Sequence, residues 1–118
     1  MFVVDDHQLV REIIAAVLGR ARGIDVVGTY ADGREAVQAY RALRPDVVVM
    51  DLSMPILDGA EATSQLRAID PDARVVLLTA SGPGRDVARA VAAGAHAYVS
   101  KQAEPGDLIE VIRSSSRG

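Results

Sequence analysis

Short apolar runs alternate along the chain with longer segments in which apolar residues recur every three or four positions. The runs are rich in β-branched residues and lack period-two alternation, which is typical of strands buried on both faces of a parallel sheet. They predict five strands, at Phe2–Val4, Ile24–Val27, Val47–Met50, Val75–Leu78 and Ala97–Val99.

The segments between these runs predict amphipathic helices. In the first, apolar residues between Leu9 and Leu18 recur at i, i+3 and i+4 spacing and form one apolar stripe. The second and third open with Asp32-Gly-Arg-Glu35 and Asp58-Gly-Ala-Glu61, where an acidic residue follows a potential N-cap aspartate by three positions. Gly94 is expected to end the fourth helix, and Pro105 to lie in the first turn of the fifth.

The predicted elements follow one another as βαβαβαβαβα. Such alternation favours an α/β fold with a parallel sheet, right-handed crossovers and helices on both faces. The length of 118 residues fits one domain with a single core. We assign residues 1–113 to this domain and residues 114–118, a serine-rich tail, to the start of a linker.

Composition narrows the range of functions. Nearly half of the residues are hydrophobic but only 3% are aromatic, so the core must consist of Val, Ile, Leu and Ala. The net charge of −3 gives no support for a nucleic-acid surface on this domain. The lack of cysteine excludes disulfides and thiolate metal sites. No apolar run approaches the ~20 residues that span a bilayer and no signal peptide is recognisable, so we expect a soluble, cytoplasmic protein.

Polar residues follow the predicted strands at their carboxyl ends, where ligands bind in open α/β sheets. They are Asp5 and Asp6 after the first strand, Asp51 after the third, Thr79 after the fourth and Lys101 after the fifth. Three carboxylates without a counter-charge repel one another, so a divalent cation is expected among them. Mg²⁺ fits best because it binds oxygen ligands and keeps several waters. Thr79 and Lys101 are then donors for an anion beside the metal, which suits phosphoryl transfer with Asp51 as nucleophile.

These residues resemble the receiver domain of two-component response regulators, and the resemblance covers essentially the whole chain. The motifs that carry it are FVVDDH, VVMDLSMPILDG, VVLLTAS and GAHAYVSK. The spacings agree as well, with 45 residues from Asp6 to Asp51, 28 from there to Thr79 and 22 from Thr79 to Lys101. DDHQLVRE and LDGAEAT are similar to the branch with a C-terminal LuxR-type helix-turn-helix. The resemblance implies a flavodoxin-like, doubly wound (βα)5 fold with strand order 2-1-3-4-5.

The resemblance also implies the chemistry of the site. Asp51 would accept a phosphoryl group from the phosphohistidine of a sensor histidine kinase. Asp6, Asp51 and the backbone carbonyl of Ser53 would bind Mg²⁺ directly, and Asp5 would act mainly through water. Lys101 would pair with Asp51 and then with the phosphoryl oxygens. His7, although it follows two aspartates, is expected to face solvent at the start of the first helix.

Thr79 and Tyr98 are implied to form the switch. Thr79 would move toward the phosphoryl group and Tyr98 would follow it inward, which would bias the face of helix four, strand five and helix five. Such a domain phosphorylates and dephosphorylates itself and is not a turnover enzyme. The implied partners are a sensor histidine kinase and, after phosphorylation, a second copy of the chain. DNA would be bound only through an output domain absent from this sequence, and no membrane partner is expected.

Two alternatives are weighed against this function. A phosphatase of the haloacid dehalogenase type also uses an aspartate nucleophile with Mg²⁺, but it needs a second aspartate at the position of Ser53. A pseudo-receiver, which docks partners without being phosphorylated, is kept open by the short first strand and the glycine-rich Ser81-Gly-Pro-Gly84 loop. The complete set of site residues argues against it.

Overall fold

The structure, a computed structural model, describes residues 1–80 and 85–115, with the side chains of residues 85 and 86 excepted. Its strands are β1 (Phe2–Val4), β2 (Gly28–Tyr30), β3 (Val48–Asp51), β4 (Val75–Thr79) and β5 (Ala97–Ser100). Its helices are α1 (Gln8–Gly19), α2 (Gly33–Leu43), α3 (Gly59–Ile69), α4 (Arg85–Ala93) and α5 (Pro105–Ser115). None of these helices combines the length and the apolar character needed to cross a membrane.

The five strands form one parallel sheet in the order β2-β1-β3-β4-β5. Phe2 in β1 lies level with Gly28 on one side and Val48 on the other, and Asp51 in β3 lies level with Leu78 in β4. The structure thus confirms the flavodoxin-like α/β fold. The order of the strands reverses between β1 and β3, so their carboxyl ends flank the crevice where such sheets bind ligands.

Two apolar clusters, one on each face of the sheet, form the core. Alternate residues of β1 belong to different clusters, with Phe2 and Val4 in one and Val3 in the other. Helices α2, α3 and α4 cover the first cluster, and α1 and α5 cover the second. The central strands are therefore buried on both faces, which explains their continuous apolar sequences.

The second predicted strand is wrong in position, because β2 comprises Gly28–Tyr30, directly after the apolar run Ile24–Val27. The run packs its isoleucine and one valine against the α1–α5 side of the core instead. β2 lies at the edge of the sheet and is only partly buried, so it needs no continuous apolar sequence. The Tyr30 ring packs edge-on against Phe2 of β1, with centroids 4.8 Å apart, and supports this pairing.

The predicted helix ends agree with the structure. Asp32 and Asp58 are N-caps, and each side chain accepts a hydrogen bond of 2.9 Å from the backbone N–H three residues later, on Glu35 and Glu61. Gly94 follows the last residue of α4 with a φ of +92°, which a residue with a side chain rarely adopts.

The last helix extends beyond residue 113, where the predicted domain ends. α5 begins at Pro105 and runs through Ser115, whose side chain is buried. It therefore includes the first two residues of the segment 114–118 that the sequence assigns to a linker. Residues 116–118 and the glycine-rich loop 81–84 lie outside the described residues.

Candidate functional site

Three of the predicted site residues meet at the carboxyl edge of the sheet. Asp5 directly follows β1 and is fully buried, and Asp51 ends β3 with 4% of its surface exposed. Lys101 follows β5 and reaches past the end of β4. Its Nζ lies 3.0 Å from Asp51 Oδ2 and 3.1 Å from Asp5 Oδ2. One ammonium group therefore bridges two buried carboxylates.

The first turn of α3 holds the backbone around Asp51. Asp51 Oδ1 accepts a hydrogen bond from the Ser53 backbone N–H at 3.2 Å. Gly59, the first residue of α3, donates its N–H to the Leu52 carbonyl at 2.8 Å. A Cβ at position 59 would overlap the Asp51 carbonyl oxygen, so this close approach requires glycine.

The loop between β1 and α1 contributes the other acidic side chain and a histidine. Asp5 Oδ1 accepts a hydrogen bond from the His7 backbone N–H at 2.9 Å. The His7 ring is 68% exposed, but its Nδ1 lies 3.3 Å from Asp6 Oδ1 and 3.5 Å from Asp5 Oδ1. One ligand atom from each of Asp5, Asp6, His7 and Asp51 lies within 4.8 Å of the others. His7 is thus exposed, as the sequence predicts, but its place beside two aspartates also brings its ring to the edge of this cluster.

Two carboxylate oxygens in this cluster of Asp5, Asp6, His7 and Asp51 accept no hydrogen bond from the described residues. Within the described residues, Asp6 Oδ1 and Asp5 Oδ2 are buried without a hydrogen-bond partner, and Asp5 Oδ2 has only the charge contact with Lys101. Unpaired buried oxygens are costly, and one ammonium does not balance three carboxylates. A hard divalent cation with oxygen ligands would satisfy both the oxygens and the charge, so the residues present fit Mg²⁺.

The two ends of the Lys101–Asp51 pair are perturbed in opposite ways by burial. Burial raises the pKa of Asp51 above its usual value, the charge of Asp5 adds to the rise, and the interaction with Lys101 works against it. Burial alone would lower the pKa of Lys101, but its interactions with Asp51 and Asp5 raise it above its usual value. The lysine is therefore charged throughout the neutral range, while the negative charge on Asp51 is disfavoured by its surroundings.

The remaining predicted residues, Thr79, Ser53 and Tyr98, differ in their position and burial. Thr79 ends β4 and is buried, and its carbonyl accepts a hydrogen bond from the Lys101 backbone N–H at 2.8 Å. Ser53 lies two residues beyond Asp51 and is exposed. Tyr98 lies in the middle of β5 with 47% of its surface exposed, outside the acidic cluster.

Comparison with known proteins identifies the family. The family model of the response regulator receiver domain matches residues 1–113. The chain belongs to this family. It is 39% identical over 115 residues to the response regulator protein VraR of Staphylococcus aureus, a match that covers 98% of this chain and 55% of VraR. The receiver domain thus spans about half the length of the curated relatives it matches.

Solved structures agree with this assignment. A two-component response regulator of the LuxR family from an Aurantimonas species has a TM-score of 0.91 and 39% identity, covering 96% of this chain and 81% of that one. The CheX–CheY–BeF3–Mg²⁺ complex of Borrelia burgdorferi has a TM-score of 0.86 and 28% identity, covering 96% of this chain and 85% of that one. The relatives confirm a receiver domain of the LuxR branch.

Family membership makes this receiver domain part of two-component signalling. Receiver domains bind Mg²⁺ at an acidic pocket, and the cluster of Asp5, Asp6 and Asp51 is an acidic pocket of this kind. The family is one of signalling domains that interact with histidine kinases.

Proposed function

We propose that the chain is a phosphorylation-controlled switch in which Asp51 accepts a phosphoryl group from the phosphohistidine of a sensor histidine kinase. The observation that carries this proposal is a carboxylate buried at a strand end, 3.0 Å from a lysine ammonium and beside acidic oxygens that lack hydrogen bonds. An Asp51 oxygen forms a bond to phosphorus while the phosphorus–nitrogen bond breaks. The electron pair of that bond returns to the imidazole nitrogen of the kinase.

The acidic cluster divides into direct and indirect metal ligands. Asp6 and Asp51, with the backbone carbonyl of Ser53, would hold Mg²⁺ directly, and the buried Asp6 oxygen without a hydrogen-bond partner supports this role. Asp5 would act through water, because its oxygens already contact the His7 N–H and the Lys101 ammonium. When bound, the ion neutralises charge on the phosphoryl oxygens during transfer.

Lys101 and Thr79 contact the oxygens of the phosphoryl group once Asp51 carries it. Lys101 pairs with Asp51 before transfer and with the phosphoryl oxygens afterwards, and its raised pKa keeps it charged in both states. Thr79, buried at the end of the neighbouring strand, moves to donate to the same oxygens. Tyr98 follows it inward from its half-exposed position, and the face of α4, β5 and α5 changes with it.

The output of the switch is transcription. We assign residues 1–113 to the receiver and residues 114–118 to the start of a linker to a DNA-binding output domain of the LuxR type. The greater length of VraR and the LuxR-family description of the Aurantimonas relative support this assignment. The protein acts in the cytoplasm, and phosphorylation favours a homodimer; DNA is bound through the output domain alone.

Phosphorylation by acetyl phosphate, followed by intact mass, tests the proposal. With Mg²⁺ the wild type is expected to gain one phosphoryl group, whereas Asp51→Asn and a wild-type sample with EDTA gain none. Asp70→Asn removes a carboxylate far from the site and is the matched control, so it gains the group as the wild type does. No gain in the wild type would contradict the proposal and favour the pseudo-receiver, which docks partners without being phosphorylated.

A further inference from the structure

Helix α4 is attached to the molecule by few buried side chains. Among the α4 side chains that the structure describes, at residues 87–93, only Ala90 is buried. Between α3 and α4 runs an open groove, lined by Ala60, Glu61, Ser64, Arg89, Ala92 and Ala93. Small and polar side chains offer little apolar contact, so polar interactions across this groove weigh more heavily in the position of α4.

Arg89 makes such an interaction with the start of α3. Its Nη2 forms a hydrogen-bonded ion pair with Asp58 Oδ2. The other oxygen of Asp58 caps α3 by accepting a hydrogen bond from the Glu61 backbone N–H at 2.9 Å. The side chains of Arg89 and Asp58 are 39% and 22% exposed, so solvent screens the pair only in part. Asp58 therefore uses one oxygen for each helix.

The start of α3 in turn contacts the end of β3, which carries Asp51. Gly59, the neighbour of Asp58, donates its N–H to the Leu52 carbonyl and packs directly against the backbone carbonyl of Asp51. No side chain intervenes between these backbone segments. A shift of the Asp51 backbone is thus passed to the first turn of α3, and from there through the Asp58–Arg89 pair to α4.

We infer that Arg89 is a positioning residue that couples the state of the Asp51 site to the position of α4. The inference rests on the proposed function, since it concerns how phosphorylation reaches the face of α4, β5 and α5. It adds a second route to the one through Thr79 and Tyr98, on the α3 side of the sheet. Because the ion pair is partly exposed, the state of the Asp51 site should change the opening equilibrium of α4 by about two- to fivefold through this route.

Backbone hydrogen exchange with and without Mg²⁺ and beryllofluoride, a mimic of the phosphoryl group, tests this inference. In the wild type, the exchange rates of the amides at residues 89–93 are expected to change by about two- to fivefold. In Arg89→Gln this α4 response is reduced, because only the route through Thr79 and Tyr98 remains, while the amides of Ser53 and Gly59 respond as in the wild type. Arg89→Lys keeps the charge and restores most of the response. Arg34→Gln, at an exposed arginine of α2, is the matched control and leaves the response unchanged.

Asp58→Asn is a second variant, which tests whether a weaker response in Arg89→Gln comes from the lost ion pair or from a local unfolding of α4. Asp58→Asn keeps the α3 cap, because asparagine caps helices as well as aspartate does, but removes the charge that Arg89 contacts. It is expected to reduce the α4 response in the same way. An α4 response in both Arg89→Gln and Asp58→Asn equal to that of the wild type overturns the inference, and so does a wild type whose site amides respond while α4 does not. A wild type without any response at Ser53 and Gly59 contradicts the proposed function itself and overturns the inference with it.

Discussion

An ion-pair cluster lies at each end of the sheet, and the two differ in what their carboxylates contact. At the amino end, Asp70 accepts hydrogen bonds from the Tyr40 hydroxyl at 2.8 Å and from the Asp72 backbone N–H at 3.0 Å. Asp70 also pairs with Arg44 at 3.4 Å, and the Arg44 guanidinium lies 5.9 Å from the centre of the Tyr40 ring. Each oxygen of the Asp70 carboxylate therefore accepts a hydrogen bond, and Oδ2 also pairs with the Arg44 cation.

The cluster at the carboxyl end is not balanced in this way. The single ammonium of Lys101 contacts Asp5 and Asp51, whereas Asp6 lies beside the exposed His7 ring. A buried oxygen of Asp6 has no hydrogen-bond partner among the described residues. Burial also raises the pKa of Asp51, and the contacts of this carboxylate with Lys101 and the Ser53 N–H do not fully offset that rise. A cluster in which every carboxylate oxygen has a hydrogen-bond donor stabilises the fold. A cluster with excess negative charge and buried oxygens that lack donors is suited to bind a ligand.

The largest difference between the two clusters is expected in the rate of phosphorylation after the cation of each is replaced. Lys101→Met removes the donor next to Asp51 and is expected to slow phosphorylation by acetyl phosphate about 100-fold or more, the usual loss for a donor that stabilises developing charge. Arg44→Met removes the cation of the amino-end cluster and should leave the rate unchanged. Intact mass against time measures both rates.

Thermal unfolding of the two methionine variants is the control for these rates, because both must be folded at the assay temperature. If Lys101→Met were phosphorylated as fast as the wild type, charge stabilisation would belong to another group. If Arg44→Met were equally slow, the two clusters would not differ in function.

Gly59, beside the site, and Gly19, at the end of α1, differ in the space around them. Gly59→Ala drives a methyl group into the backbone of Asp51 and Leu52, and it is expected to lower the free energy of unfolding by about 1–3 kcal/mol, the usual cost of overpacking. The same displacement should slow phosphorylation. At Gly19, the last residue of α1, an added methyl group would meet no packing neighbour within 4 Å among the described residues. Gly19→Ala should therefore leave both quantities nearly unchanged.

Urea unfolding and the phosphorylation assay measure these effects together. A Gly59→Ala variant with wild-type stability and rate would show that the start of α3 does not hold the Asp51 backbone. That result would also weaken the link from Asp51 to α4, because the link runs through the same contact.

The Tyr40 hydroxyl tests the amino-end cluster alone. Tyr40→Phe removes a donor to Asp70 and is expected to lower the free energy of unfolding by about 1 kcal/mol. Phosphorylation should not change, because Asp70 lies at the opposite end of the sheet. Tyr98→Phe, at a half-exposed tyrosine, is the matched control and should cost less stability. Equal losses in the two variants would mean that the bond to Asp70 contributes nothing measurable.

Much of the fold follows from the sequence pattern, and the exception has a physical cause. β1, β3 and β4 are buried along their whole length, so their continuous apolar runs mark them. β5 is the other edge strand and is only partly buried, with Val99 as its buried residue. β2 is an edge strand with the sequence Gly-Thr-Tyr. The run before it packs Ile24 and Val26 against the core, and its backbone bonds to Met1 through the Val27 N–H and the Asp25 carbonyl. A partly buried segment that adjoins a strand therefore resembles a strand in its sequence. The order of the strands came from the family resemblance, because alternation alone does not determine it.

The candidate site was predictable where strand ends determine it and unpredictable where side-chain packing does. Asp5, Asp51 and Lys101 meet because the carboxyl ends of parallel strands share one edge. The Asp58–Arg89 pair joins residues 31 positions apart through the packing of two helices, which no local pattern encodes. For the same reason the contacts of Asp70 with Tyr40 could not be predicted.

The smallest expected effect is a difference in the free energy of unfolding, which should have opposite signs in Asp51→Asn and Asp70→Asn. Asp51→Asn removes a charge that burial and Asp5 disfavour, so without Mg²⁺ at neutral pH this variant should be at least as stable as the wild type. Asp70→Asn removes the charge that pairs with Arg44 and should lower the free energy of unfolding by up to about 1 kcal/mol. Urea unfolding of the two variants measures both.

The pH dependence of that difference follows from the raised pKa of Asp51. The folded state binds the Asp51 proton more tightly than the unfolded state does, so the ionised carboxylate destabilises the fold fully above the folded pKa. As the pH falls from there toward the usual aspartate value of about 3.9, the penalty vanishes and the advantage of asparagine shrinks. Mg²⁺ should reverse the order at neutral pH by stabilising the wild type only. If asparagine kept its advantage in Mg²⁺, no cation would be held at Asp51, and the contrast between the two clusters would be lost.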